Sequence, residues 1–319
     1  MNFERIKPVE NFQFYIDLAM RRAREKGSEL RAKKLRGGSL EKSKYIELMK
    51  MNVFADTVSS RMENIVKSFP SFEGLPEFYR ELIKLRIDYG QVRKSLAAVD
   101  WAMRKSREML SMYADKINKN REFERINVLR NSFLGRASSI LKQIKRDLII
   151  LEDARKSLKN LPDIDTALKT TVISGFPNIG KTTLMYRLTG SKGDIQSYPF
   201  TTKGINVAYL RKGNEKMQIL DTPGTLNRFN KMNDIEKVAY LAIKYCASII
   251  VYVFDLTGEY PMMDQINLYK RIKADFEKDM IVYFSKKDIV SKKELEKFEK
   301  EYNGISDDSL LKAELLQRL

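Results

Sequence analysis

Residues 174–183 read Ser174-Gly175-Phe176-Pro177-Asn178-Ile179-Gly180-Lys181-Thr182-Thr183. The run fits the pattern G-x-x-x-x-G-K-[ST], whose glycines let successive backbone N–H groups surround phosphate oxygens. A short β-branched run, residues 170–173, precedes it, and a segment with the composition of a helix follows from Lys181 to Leu188. A helix beginning there would add its partial positive charge to the loop. A chance glycine turn that carries Lys-Thr is the alternative, and it accounts for neither flanking element.

The residues expected to contact a nucleotide follow from the same pattern. Its lysine, Lys181, reaches the β- and γ-phosphates, and its hydroxyl, on Thr182, holds Mg²⁺. We therefore predict a site for a nucleoside triphosphate and Mg²⁺ at this loop. The predicted contacts are Pro177, Asn178, Ile179, Gly180, Lys181, Thr182 and Thr183.

Two later loops have the features of switches that sense the γ-phosphate. Residues 198–203, Tyr-Pro-Phe-Thr-Thr-Lys, lead into a predicted strand, and we expect Thr202 to coordinate Mg²⁺. Residues 221–224, Asp-Thr-Pro-Gly, end another apolar strand. There Asp221 is placed to hold the Mg²⁺ shell, and the N–H of Gly224 to meet the γ-phosphate. We expect Lys181, Thr202 and Gly224 to act in catalysis.

A fourth loop, Ser285-Lys286-Lys287-Asp288, predicts the base that is bound. A carboxylate accepts two hydrogen bonds from N1 and N2 of guanine, whereas adenine has no such pair of donors. Asp288 therefore favours GTP and GDP over ATP. We also expect Ser285 and Lys286 to contribute to the nucleotide site.

Strand-like and helix-like segments alternate along residues 161–319, which is typical of a mainly parallel sheet covered by helices on both faces. Ligands bind at the edge where the loops of such sheets gather. We therefore expect an α/β P-loop GTPase domain over 161–319, after a break at Pro162. The predicted strands are 170–173, 205–210, 217–220, 248–254 and 280–284, and the predicted later helices are 234–245 and 264–276.

Residues 1–160 show helical periodicity instead. Apolar residues spaced by three and four predict helices over 39–68, 76–118 and 121–159, with a shorter one from Val9 to Lys26 before Gly27. Long helices with narrow apolar stripes and short connections indicate an all-α antiparallel bundle. We read Trp101 as part of its core.

The chain has a formal net charge of +17, of which residues 1–160 carry +14. A basic excess in one domain favours a polyanionic partner such as nucleic acid, because Lys and Arg contacts to phosphates release counterions. A lysine-rich surface that only contacts solvent is the alternative. The predicted RNA-binding residues are Arg21, Arg22, Arg24, Lys33, Lys34 and Arg36.

The sequence contains no histidine and one cysteine, Cys246. A zinc site and Ser-His-Asp chemistry are therefore disfavoured, and a reducing, cytoplasmic compartment is expected. The N-terminus lacks the pattern of a secretion signal, and no apolar run approaches the ~18 residues of a membrane span. We expect a monomer without a membrane partner.

These motifs resemble the nucleolar GTP-binding protein (Nog-type) family of Obg-like GTPases. The resemblance covers most of the chain and implies a helical bundle that contacts ribosomal RNA, joined to a GTPase that acts in maturation of the large ribosomal subunit. It is carried by residues 69–79, 158–165, 175–182, 198–203 and 221–224.

Some positions depart from the family pattern. The guanine motif is normally N-K-x-D, but Ser285 replaces the asparagine whose amide usually ties this loop to the phosphate loop, so we predict weaker nucleotide affinity. The last guanine-contacting loop is at best residues 305–307 and stays unassigned, because a sixth strand is hard to find. Asn178 stands where potassium-stimulated relatives carry a ligating asparagine, so we consider K⁺ as a further cofactor.

The residue after Gly224 is Thr225, whereas Ras-like enzymes have a glutamine there that orients the attacking water. We therefore predict slow intrinsic hydrolysis of GTP. The alternative function is an RNA-binding scaffold that holds a nucleotide without turnover. A third interpretation, an ATPase, is disfavoured by Asp288.

Overall fold

The computed structural model describes residues 3, 5–190, 196–197, 205–222, 232 and 234–319, with only the backbone at 196–197 and 234–235. The chain divides into two compact units. A helical unit comprises Asn2–Phe72 and Arg86–Lys159, and a sheet unit comprises Glu73–Leu85 and Asn160–Leu319. Among the described helices, none is both long and apolar enough to cross a lipid bilayer.

The helical unit is a bundle in which α2 packs against α1, α4 and α5, and α4 also packs against α6. Its helices are α1 (Phe12–Ala32), α2 (Ser39–Ser68), α4 (Tyr89–Lys119), α5 (Phe123–Gln143) and α6 (Lys145–Lys159). The predicted stripe of α2 is confirmed, because it is buried from Met51 to Ile65 at helical spacing. Trp101 is 39% exposed, so its assignment to the core was wrong.

The predicted end of the first helix at Gly27 was also wrong, because α1 continues to Ala32. Gly27 is buried inside the helix, and a Cβ there would lie 2.8 Å from Cδ of Lys50. A glycine in a helix interior costs about 1 kcal/mol relative to alanine. At this position it lets the Lys50 side chain from α2 pass close to the backbone of α1.

The two longer predicted helices are each divided. Asp88 separates α3 (Glu77–Arg86) from α4, and its side chain accepts a hydrogen bond from the Gln91 N–H as an N-cap. Ile144 leaves helical geometry with ψ of 14° and separates α5 from α6. The apolar stripe is continuous across this second break, which is why periodicity alone predicted one helix.

The sheet unit contains a six-stranded sheet in the order β2-β3-β4-β1-β5-β6. The strands are β1 (Thr170–Ser174), β2 (Gln196–Ser197), β3 (Asn206–Lys212), β4 (Glu215–Asp221), β5 (Ile249–Asp255) and β6 (Asp279–Ser285). β1 is parallel to β4 and β5, and β5 is parallel to β6, whereas β3 is antiparallel to β2 and β4. The predicted α/β class with a mainly parallel sheet is confirmed.

The helices of the sheet unit follow its strands in alternation. They are α7 (Lys181–Thr189), α8 (Asp234–Cys246), α9 (Met262–Phe276), α10 (Lys292–Tyr302) and α11 (Asp308–Gln317). Every residue of β1 and β5 is buried, as in a sheet covered on both faces. Because β1, β4, β5 and β6 run in the same direction, the loops after them lie at one edge of the sheet.

Helix α3 lies in the sheet unit although it precedes α4 in the chain. The hydroxyl of its fully buried Tyr79 accepts a hydrogen bond from Ile164 N at 2.8 Å. The same hydroxyl lies 2.8 Å from Ile164 O and 3.0 Å from Pro162 O, either of which accepts its proton. Tyr79 therefore fixes the segment that leads into β1.

Candidate nucleotide-binding site

The loop between β1 and α7 has a backbone that the glycines make possible. Gly175 has φ of +142°, and a Cβ there would lie 2.5 Å from Cδ1 of Ile179 and 2.6 Å from the backbone oxygen of Val253. Gly180 has φ of +94°, and Asn178 adopts the left-handed conformation with φ of 60°. The loop therefore turns tightly against the neighbouring strand β5, in the manner of a phosphate cradle.

Lys181 begins helix α7 and is 7% exposed. Its Nζ donates hydrogen bonds to the backbone oxygens of Gly175 at 3.2 Å and Phe176 at 2.5 Å, so the ammonium lies within the loop. Gly180 caps α7 without a side-chain hydrogen bond. The first N–H groups of a helix have no partner within it, so they are available to an anion.

Thr182 and Asp221 are brought together from different elements. The Thr182 hydroxyl, in the first turn of α7, donates to Oδ2 of Asp221 at 2.5 Å, and Asp221 ends β4. The same oxygen accepts a hydrogen bond from Nδ2 of Asn206 at 3.1 Å. Asn206 opens β3 and is paired with Asp221 in the antiparallel ladder. The sequence analysis missed Asn206, although its position opposite the end of β4 is fixed once the two strands are aligned.

Burial raises the pKa of the Asp221 carboxyl, against hydrogen bonds from Thr182 and Asn206 and the charge of Lys181. A divalent cation beside the carboxylate would favour its charged form. One hydroxyl and one carboxylate suit Mg²⁺, which usually keeps waters and binds few protein oxygens together with substrate phosphates. Within the described residues, no cluster of three His, Cys, Asp or Glu offers a competing metal site.

The loop after β6 is held from the side of β5. The Ser285 hydroxyl donates to the backbone oxygen of Phe254 at 3.0 Å, and its Cβ would lie 3.8 Å from a Cβ on Gly180. Lys286, with φ of 53°, donates through Nζ to Asp255 at 2.6 Å and to Glu259 at 2.7 Å. The serine therefore lies beside the phosphate loop but directs its hydrogen bond into its own sheet.

The buried partner of Lys286 is Asp255 at the end of β5, and this residue was not predicted from the sequence. Burial would raise the pKa of its carboxyl, but hydrogen bonds from Lys286 and from the side chain and backbone of Thr257 lower it overall. The ion pair with Lys286 is therefore maintained at neutral pH. An aspartate directly after an apolar strand was the available signal in the sequence.

Asp288, the predicted guanine ligand, is exposed and has no partner among the described residues. Lys287, which precedes Asp288 in the motif, forms an ion pair with Asp307 at 3.1 Å. Ile305 forms a single parallel bridge with Tyr283 of β6. Residues 306–307 therefore follow a single bridge residue that lies beyond β6, outside the six strands of the sheet, next to the guanine loop. A single bridge residue has no strand pattern, which is why the strand expected before this loop was hard to find in the sequence.

Two predicted residues, Thr202 and Gly224, lie outside the described part of the chain, as do the rest of 198–203 and residues 223–225. The assigned roles of Pro177, Ile179 and Thr183 stay predictions. The structure brings Lys181, Thr182 and Asp221 to one edge of the sheet.

The predicted RNA-binding residues are all exposed in the helical unit. Lys33 pairs with Glu29, and Arg21 lies 3.9 Å from Glu25. Hydrogen bonds from Lys33 and Lys26 lower the pKa of Glu29 to about 2. Among the described residues, Arg22, Arg24, Lys34 and Arg36 form no ion pair, so their charges are the ones available to a partner.

Two family models match the chain. Residues 3–165 match the model described as the NOG1 N-terminal helical domain, and residues 170–286 match the one described as a 50S ribosome-binding GTPase. An uncharacterized protein from Methanocaldococcus jannaschii is 38% identical over 275 residues, which cover 85% of this chain and 77% of that protein.

Eukaryotic relatives have a longer chain. Nucleolar GTP-binding protein 1 from Candida glabrata is 29% identical over 82% of this chain, and that from Arabidopsis thaliana is 27% identical over 91%. The matches span 41% and 43% of those proteins. A crystal structure of Aquifex aeolicus Era bound to GDP·AlF4⁻ is 24% identical, covers 43% of this chain and 48% of that chain, and has a TM-score of 0.32.

Proposed function

The chain belongs to the family of the NOG1 N-terminal helical domain, and on that premise we propose that it is a GTP-hydrolysing switch that acts in assembly of the large ribosomal subunit. Membership confirms the resemblance found in the sequence. The relatives from Candida glabrata and Arabidopsis thaliana are both named Nucleolar GTP-binding protein 1, which supports a role in ribosome assembly for this chain.

One observation carries the proposal for the sheet unit. The Thr182 hydroxyl and the Asp221 carboxylate meet beside a phosphate loop, at the N-terminus of α7. Charged phosphates would be bound there by backbone N–H groups and by Lys181. A structural turn would not require Lys181 to be 7% exposed inside the loop.

In this proposal Thr182 and Thr202 hold Mg²⁺, with Asp221 in its outer shell, and the N–H of Gly224 contacts the γ-phosphate. When bound by these residues, Mg²⁺ would supply positive charge that offsets the negative charge of the phosphates during transfer of the terminal phosphoryl group to water. Asn178 is the proposed ligand of K⁺. Turnover that is equal in Na⁺ and K⁺, with and without ribosomal particles, would remove K⁺ from the proposal.

We assign guanine selectivity to Asp288. The test compares nucleotides that carry different bases. Asp288→Asn replaces an acceptor by an amide that also donates, so it should weaken GTP binding and improve binding of xanthosine triphosphate, whose C2 bears a carbonyl. Dissociation constants for GTP, ATP and the xanthosine nucleotide should be measured for both proteins. Tighter binding of ATP than GTP by the unmodified chain would contradict the guanine assignment.

Hydrolysis is proposed to be slow in the isolated protein, because Thr225 replaces a water-orienting glutamine. Multiple-turnover release of phosphate, measured with and without large-subunit precursors, separates a switch from a non-hydrolysing scaffold. The scaffold predicts no turnover in either case. Release with the particles only would support a switch activated by its partner.

The helical unit is proposed to bind ribosomal RNA through Arg22, Arg24, Lys34 and Arg36. Co-sedimentation with large-subunit particles over a range of salt concentrations tests this, because each lost phosphate contact lowers the salt dependence of binding. We also propose a reducing, cytoplasmic location and a monomeric chain. The buried state of the lone Cys246 is consistent with that compartment.

A further inference from the structure

A cavity of about 220 Å³ opens among α1, α2 and α5 of the helical unit. Its floor includes the buried Ala23 and Met51, and the exposed Arg24 and Asn131 lie at its mouth. A cavity of about 150 Å³ accommodates a benzene ring, whereas sites for drug-sized molecules span roughly 300–1,000 Å³. The space therefore suits one ring system with a polar attachment.

The cavity wall carries more positive than negative charge. Glu47, with a side chain 4% exposed, lies 2.8 Å from Nζ of Lys50 and 3.0 Å from Nη1 of Arg130, and Arg31 approaches it at 3.7 Å. One carboxylate thus faces three cations, and Arg24 at the mouth has no ion pair among the described residues. The single buried carboxylate offsets only one of the three positive charges, which leaves a net positive charge that attracts an anion.

Two further contacts fix the positions of these cations. The Lys50 stem lies so close to Gly27 that any Cβ there would contact it at 2.8 Å. Asn131 Oδ1 accepts hydrogen bonds from Nε and Nη2 of Arg130 at 3.1 and 2.9 Å. The amide nitrogen of Asn131 is left without a partner among the described residues, so it is available to an acceptor on a ligand.

We propose that this cavity binds one nucleotide of single-stranded RNA. Its phosphate lies against Arg24, Lys50 and Arg130. Its base contacts the apolar part of the wall, formed by Met20, Met51 and Leu134. Sequence-selective recognition of RNA uses bases that have left the stack, which a regular duplex does not offer. The inference rests on the proposed RNA-binding function of the helical unit.

The test compares two arginines of one helix. Arg22 and Arg24 are both exposed and unpaired among the described residues, but only Arg24 lines the cavity. Fluorescence anisotropy with the full chain should measure dissociation constants for a short single-stranded RNA and for a duplex of equal length, at one salt concentration. Arg22→Gln should weaken both by a similar factor, because it removes a phosphate contact that ignores sequence.

Arg24→Gln should lower the ratio of single-strand to duplex affinity about tenfold, the size of one lost charge-assisted hydrogen bond. Leu134→Trp should also lower this ratio, because the larger side chain would occupy the space assigned to the base. Arg22→Gln should keep the ratio. If both cavity variants keep it while the unmodified chain binds RNA, the cavity proposal is overturned. If the unmodified chain binds neither RNA, the proposed RNA-binding function fails first.

Two controls keep the outcome decisive. Thermal unfolding should show that each variant is folded. If Leu134→Trp does not fold, the result for Arg24→Gln alone tests the proposal, because a change at the exposed Arg24 leaves the core intact. Uridine monophosphate should compete only weakly, since it lacks the neighbouring phosphates of an RNA chain. Competition by the free nucleotide at the affinity of the RNA would overturn RNA as the ligand.

Discussion

Asn206→Ala tests how the candidate Mg²⁺ site is built. The Asn206 amide donates to Oδ2 of Asp221 at 3.1 Å, the oxygen that also accepts from Thr182. Residues that orient metal-binding groups typically contribute 10–100-fold to metal affinity. Because Thr182 still holds Asp221 in the variant, we expect the lower end, an increase of about tenfold in the Mg²⁺ concentration needed to retain GDP.

The assay is the dissociation constant of a fluorescent GDP analogue, measured over a range of Mg²⁺ concentrations and again in EDTA. The change to alanine leaves the backbone ladder between Asn206 and Asp221 intact. The affinity for GDP in EDTA should therefore stay within about twofold of the original value, which is less than the contribution of one net hydrogen bond. Arg211→Ala, an exposed position on the same strand, is the matched control. An equal loss of affinity in EDTA and in Mg²⁺ would refute the assignment of Asn206 to the metal site.

Three further predictions concern other positions. Ser285→Asn should tighten GDP binding by up to about tenfold, from one net hydrogen bond of ~0.5–1.5 kcal/mol to the phosphate loop, and unchanged affinity by titration calorimetry would contradict this. Tyr79→Phe should lower the free energy of unfolding in urea by ~0.5–1.5 kcal/mol, because it removes the hydrogen bond between the Tyr79 hydroxyl and the N–H of Ile164, and an unchanged free energy of unfolding would contradict this. The carboxyl of Glu29 should titrate near pH 2 by NMR, and its pKa should return toward the usual range in Lys33→Ala. The ion pairs of Glu29 stabilise the fold above about pH 4.5, and this stabilisation is lost as the pH falls toward 2. A Glu29 pKa in the usual range would show that these ion pairs do not form in solution.

Five strands of the sheet unit were predictable from the sequence because each contains a buried apolar run, and three of the four motifs follow such a run directly. The two-residue strand β2 has no such run and was not predicted. Strand β1 (Thr170–Ser174) ends one residue later than predicted, and β5 (Ile249–Asp255) is shifted by one residue at both ends. Helices α10 and α11 were not predicted. The sequence of α10 is mostly charged and none of its residues is fully buried, although Phe298 and Tyr302 contact the rings of Phe284 and Phe254. Helix α11 is ten residues long and buries only Leu311 and Leu315, which is a short pattern for detection by periodicity.

Errors in the helical unit have a different cause. Gly27 was taken as a helix end because glycine commonly follows a helix, but here a side chain from another helix requires the space. Ile144 breaks a helix without breaking the apolar stripe, whereas Asp88 separates α3 and α4, which bury their apolar residues in different units. Where a helix ends thus depends on packing between segments distant in sequence, which a single sequence does not reveal.

In the guanine loop, too, contacts between distant segments were not predictable. The sequence shows Ser285 in place of the usual asparagine, but it does not show which contacts hold the loop instead. Ser285 bonds to the strand beside it, and Lys286 is committed to Asp255, which is fully buried, and to Glu259. The loop that carries Glu259 also contacts the phosphate loop, since the rings of Tyr260 and Phe176 lie 4.9 Å apart. The segment after β5 therefore joins the phosphate loop to the guanine loop, which is the task of the usual asparagine. We therefore expect nucleotide affinity in this chain to depend on residues 255–260, a stretch outside all four motifs from which the site was predicted.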